Sequence, residues 1–108
     1  MKYLANAFSL QMINMKKRKT DIQTIPLTKE DFITQLKSKD LKSIIGHEDM
    51  ANVLSSILKM SIKVNRTSII LSPGDILFVA QLTGGRLPVG VTALPEGFFL
   101  DFIKVFIK

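Results

Sequence analysis

The sequence predicts a single α/β domain over residues 1–108, with a mixed sheet of about five strands flanked by helices, and three observations lead there. The chain has 108 residues, of which 46% are hydrophobic, which suits one core and is too little for two. Strand-like apolar segments alternate with segments whose apolar residues recur at helical spacing. There is no cysteine, so neither disulfides nor a thiolate metal site can stand in for that core.

The elements follow in order. Tyr3 to Phe8 is apolar apart from Asn6 and reads as a strand. Ser9 is placed to cap a short turn or helix over Leu10 to Met15, which the basic run Lys16-Lys17-Arg18-Lys19 closes. Ile22 to Leu27 reads as a strand that Pro26 must end or confine to an edge. Thr28-Lys29-Glu30-Asp31 fits a capping box with Leu27 and Phe32 in staple positions, so a helix begins at Lys29 and turns Phe32, Ile33 and Leu36 inward. A longer helix follows Gly46, because Met50, Val53, Leu54, Ile57 and Leu58 keep helical spacing while Glu48 and Asp49 complement the positive end of its dipole. Ile62 to Leu71 is rich in β-branched residues, Ser72-Pro73-Gly74-Asp75 has turn chemistry, and Ile76 to Leu82 is apolar again. That pattern predicts an antiparallel hairpin. Thr83 to Gly90 is irregular. Phe98 to Ile107 is apolar on both faces except at Asp101 and Lys104, which predicts a last strand inside the sheet.

The same composition excludes several classes of protein. The longest apolar stretch, Ile76 to Ala80, is far below the roughly 20 residues of a spanning helix. Asn6, Ser9 and Gln11 interrupt the apolar region a signal peptide would need, so a soluble, cytoplasmic protein with no membrane association is expected. Fifteen Lys and Arg against nine acids give +6, which favours an anionic partner. Lys16 to Lys19 is either a phosphate-binding patch or a solvated loop. The aromatic residues are seven Phe and one Tyr at core-like positions, not interleaved with basic residues, which argues against a base-stacking platform.

Few residues can carry chemistry. His47, the one histidine, is the only side chain whose ordinary titration range spans neutrality, and it stands at a helix start whose unpaired N–H groups attract anions. It is either a proton donor to a leaving oxygen or a capping histidine with no further role. Arg86 follows Gly84 and Gly85 in a loop and is either a phosphate clamp or a surface residue. That loop opens no helix, so it is neither a dinucleotide fingerprint nor a P-loop, and no cofactor is called for. Asn6, Ser9, Gln11, Asn65 and Gln81 are polar residues within or beside apolar segments and must find hydrogen-bond partners or line a site. Arg66 faces solvent or an anion, and Glu96 lies in the turn-like Leu94-Pro95-Glu96-Gly97. No Ser/His/Asp pattern, carboxylate pair or metal motif is present. Metal-independent phosphodiester chemistry is the enzyme class least at odds with this inventory.

Taken in order, Leu4-Ala5-Asn6-Ala7-Phe8-Ser9, Ile45-Gly46-His47, Asn65-Arg66, Gly74-Asp75, Gln81 and Gly85-Arg86-Leu87-Pro88 resemble a small family encoded by archaeal viruses, phages and bacterial mobile elements, some members of which are viral ring nucleases. The resemblance implies a homodimeric α/β protein that binds cyclic tetra-adenylate, the second messenger of type III CRISPR immunity, and cuts it without metal by attack of a ribose 2′-hydroxyl on the adjacent phosphate. It implies that His47 is the general acid and Arg86 the phosphate-stabilising cation. Asn6, Ser9 and Gln81 would contact ribose or orient the nucleophile, and Arg66 would contact phosphate. Gln11 stands where ring nucleases often carry Asn. The chain departs from the pattern at Val89, where active members have a glutamate three residues after the arginine, and valine can neither accept a proton nor orient a hydroxyl. A slow nuclease, a binder that sequesters the messenger, or a relative with another job are therefore the outcomes left open. The rival expectation is a DNA-binding or accessory protein of a mobile genetic element that uses Lys16 to Lys19.

Overall fold

Leu4, Phe78 and Ala80 point to one side of a sheet, and Ala5, Leu77 and Val79 to the other, as the two-residue period of a strand requires. Both faces therefore need cover. The computed structural model describes residues 1–37 and 40–108. It contains β1 (Lys2–Ala5), a 3-10 turn (Leu10–Met12), β2 (Ile22–Leu27), α1 (Lys29–Leu36), β3 (Leu41–Ser43), α2 (Glu48–Leu58), β4 (Ile76–Thr83) and β5 (Phe99–Ile107). The strands form one mixed sheet in the order β2-β5-β4-β1-β3. β1 runs parallel to both β3 and β4, while β5 runs antiparallel to β4 and β2. The predicted α/β fold class is the one observed.

The helices cover the first face. Phe32 and Leu36 of α1 and Met50, Ala51, Leu54 and Leu58 of α2 pack on Leu4, Phe78 and Ala80. α1 starts where its capping box places it, with Thr28 Oγ1 accepting from the Asp31 N–H at 3.1 Å. α2 stops at Lys59, which takes a left-handed conformation (φ 54°). No helix is long and apolar enough to cross a membrane, among the described residues.

Irregular chain covers the second face, and here the expected topology fails. Residues 62–71 form no strand and no hairpin with β4. The neighbours of β4 are β1 and β5, so that strand has no free edge to offer. The segment instead runs beside the end of β3, tied by the Asn65 N–H to the Ile45 carbonyl at 2.8 Å, by Asn65 Nδ2 to the Ser43 carbonyl at 2.8 Å and by Ser43 Oγ to the Lys63 carbonyl at 2.7 Å. Beyond Asn65 it turns Ile69 and Leu71 onto Ala5, Leu77, Val79 and Val105. Its β-branched residues therefore serve as a strap over the sheet.

Three further expectations change. β1 ends at Ala5, short of Phe8, because the chain leaves the sheet there to lay Phe8 and Met12 across the second face. The helical turn spans only Leu10–Met12, closed by the Ile13 N–H on the Leu10 carbonyl. β3 was not expected, since three residues are too few to show a period. β5 is interior as predicted, yet only its second half is covered on both sides, and Phe99 is 67% exposed.

Candidate functional site

The parallel strands β1 and β4 end at the same edge of the sheet, where open α/β sheets commonly hold their ligands. A cleft of about 480 Å³ opens there. Asn6 enters it directly after β1, and Leu82 from the end of β4. His47, Asp49 and Met50 enter from the start of α2, and Arg86, Leu87 and Val89 from the loop that follows β4. The volume lies within the range of small-ligand sites, and the lining combines apolar walls with a few polar and charged groups.

His47 is the N-cap residue of α2, with extended backbone (φ −126°, ψ 134°) and an exposed side chain that makes no capping hydrogen bond. Arg86 is exposed on a loop bounded by glycines with positive φ: Gly84 (123°) and Gly85 (115°) at its start, and Gly90 (80°) at its end. A hydrogen bond ties the end of this loop to the helix. Asp49 Oδ1 accepts a hydrogen bond from the Gly90 N–H at 3.2 Å.

Gly84 is also held by sterics. A Cβ there would lie 2.8 Å from the Gly97 carbonyl oxygen and 2.9 Å from Phe98 Cα, whereas one on Gly85 would meet nothing within 4 Å. Gly84→Ala is therefore expected to cost about 2–4 kcal/mol, combining overpacking with left-handed strain, and Gly85→Ala only the strain, on the order of 1–2 kcal/mol. Urea unfolding of the two variants checks this ordering; equal losses would show that the close approach of Gly84 to residues 97 and 98 does not matter.

The other sequence-predicted site residues lie outside the cleft lining. Ser9 Oγ accepts from the Gln11 N–H at 3.2 Å and caps the 3-10 turn, and both side chains are exposed. Gln81 is exposed on β4, and strand alternation turns it to the opposite face from Leu82. Arg66 is nearer: a Cβ on Gly46 would meet its Cγ at 3.4 Å, so its stem lies against the residue preceding His47. Asn65 serves the backbone at the end of β3, and Glu96 is an exposed turn residue. Among the described residues, no three His, Cys, Asp or Glu side chains group as metal ligands would.

Sequence reasoning missed Asp49 as a cleft residue, having placed it only as a charge in the first helical turn. Its hydrogen bond to Gly90, 41 residues away, has no local signal.

Comparisons with known proteins bear on this arrangement. The chain is 32% identical over 94 residues to the uncharacterised protein ORF117 of Acidianus two-tailed virus, covering 82% of this chain and 80% of that one. Its fold is similar to that of B116 of Sulfolobus turreted icosahedral virus, with a TM-score of 0.79, 23% identity and 97% of each chain covered. The model of the STIV B116-like family matches residues 2–98, a span that includes every residue lining the cleft. The chain belongs to the STIV B116-like family.

Proposed function

We propose that this protein binds a cyclic oligoadenylate, cyclic tetra-adenylate in the first instance, and opens the ring slowly without metal. The observation that carries this reading is that His47, Arg86 and Asn6, distant in sequence, line one cleft. In-line attack by the ligand's own 2′-hydroxyl asks little of a protein. Arg86 offers a guanidinium to the phosphate as negative charge builds on it, and His47 offers a proton to the departing 5′-oxygen, leaving a cyclic 2′,3′-phosphate end. A cleft of about 480 Å³ holds one drug-sized ligand, less than a ring of four nucleotides. Two copies of the chain about a two-fold axis would share the ring and present one His47 to each of two opposite phosphates. The experiment is titration of labelled cyclic tetra-adenylate with purified protein in the presence of a chelator. Binding at micromolar protein or below is expected, and its absence removes the ligand assignment.

A second reading has its own observation. Lys16 to Lys19 are all exposed, and none of them lines the cleft. The chain on either side of the run is tied down, with the Leu71 N–H donating to the Met12 carbonyl and the Lys108 N–H to the Asp21 carbonyl. If this run binds DNA, affinity falls steeply with salt and drops further when Lys16 to Lys19 are neutralised. DNA binding that is absent at low salt, or indifferent to those four residues, ends this alternative.

A further inference from the structure

Resting on the cleavage reading above, we propose that Asp49 is the acceptor for the attacking ribose hydroxyl. In-line attack needs a group that takes the hydroxyl proton as the oxygen bonds to phosphorus, and among the described residues Asp49 is the only carboxylate lining the cleft. Val89, on the loop beside it, is apolar and 98% exposed. Asn6 can accept a hydrogen bond, but an ionised carboxylate accepts one about twice as strong and can also keep the proton.

The geometry holds Asp49 ready for this. One carboxylate oxygen is fixed by the Gly90 N–H at 3.2 Å, and the carboxylate makes no second hydrogen bond among the described residues, so its other oxygen can accept from a ligand. Residues two apart within a helix point to different sides, but His47 has extended backbone outside the helix while Asp49 lies within it. Acid and acceptor therefore both line the cleft from the start of α2, His47 as the residue before the helix and Asp49 in its first turn. Through Gly90 the same carboxylate anchors the end of the loop that carries Arg86.

The step then balances. The 2′-oxygen forms its bond to phosphorus and gives its proton to Asp49. The bond from phosphorus to the 5′-oxygen breaks, and that oxygen takes a proton from His47. The products are a 2′,3′-cyclic phosphate and a 5′-hydroxyl on one linear chain, with no water consumed.

The test separates this role from loop anchoring. In Asp49→Asn the side-chain oxygen can still accept from the Gly90 N–H, but the other atom becomes a donor and no longer takes a proton. Cyclic tetra-adenylate binding by Asp49→Asn should stay within a few-fold of the unaltered protein, while ring opening falls about 100-fold or more. The preference of the unaltered protein for the ribose ring over its 2′-deoxy counterpart in binding should also shrink in the variant. Asp49→Ala, which loses the anchor as well, should weaken binding too. Equal cleavage by Asp49→Asn overturns the proposal, as does an unchanged ribose preference, and so does binding without any cleavage by the unaltered protein. Failure of the unaltered protein to bind the ring overturns the ligand reading itself, and the proposal with it.

Discussion

His47→Ala is expected to slow opening of the cyclic tetra-adenylate ring by roughly 10²–10⁴-fold, the usual contribution of a positioned general acid. The departing 5′-oxygen is an alkoxide in the making, and without a donor its departure is the costly part of the step. The fold should not suffer. The side chain is exposed and makes no hydrogen bond to α2, so removing it leaves no buried group unsatisfied and deletes no cap interaction. Binding should change far less than turnover, because an acid that acts on the leaving oxygen contributes most in the transition state. Single-turnover assays with excess protein, run beside a binding titration, read the two effects separately. Linear product forming equally fast in His47→Ala would remove the catalytic assignment and leave the cleft as a binding site.

The second large effect is on stability. Phe32 is wholly buried, with its ring edge-on to Phe78 at 5.7 Å and tilted against Phe102 at 4.8 Å, so one side chain joins α1 to both β4 and β5. Phe32→Ala removes that area and leaves a cavity between rigid elements, at a cost of about 3–5 kcal/mol. A domain of this size is stable by only about 5–15 kcal/mol in total. Thermal unfolding should therefore move down by more than roughly 10 °C. A loss below about 1 kcal/mol by urea denaturation would mean that the helices close over the gap and that the aromatic cluster does not organise this face.

The site and the stable core are separate layers of the same architecture. Leu4, Phe78 and Ala80 fix the sheet beneath the helices, and the cleft forms above them where β1, β4 and α2 reach the rim. The Gly84 to Gly90 loop is held at one end by the close approach to residues 97 and 98 and at the other by Asp49, so Arg86 enters the cleft from a short, tethered span.

Sequence by itself determined the elements with strong local signals. The capping box at Thr28 set the start of α1, the spacing of Met50, Val53, Leu54 and Leu58 set α2, and the apolar runs set β4 and β5. It also singled out His47, Arg86, Asn6, Ser9, Gln11, Arg66 and Gln81, because so few residues in a cysteine-free chain with one histidine can carry chemistry, and only the first three line the cleft. Only the tertiary structure decided what lies between these signals. A β-branched run such as Ile62 to Leu71 states that a surface will be covered but not which edge is vacant, and the pairing of β1 with β4, more than 70 positions apart, had already filled the edge it would have used. The same nonlocal packing brought Asp49 to Gly90. Hydrogen bonds and cavities between distant segments depend on where the chain returns, and a local pattern carries no record of that return.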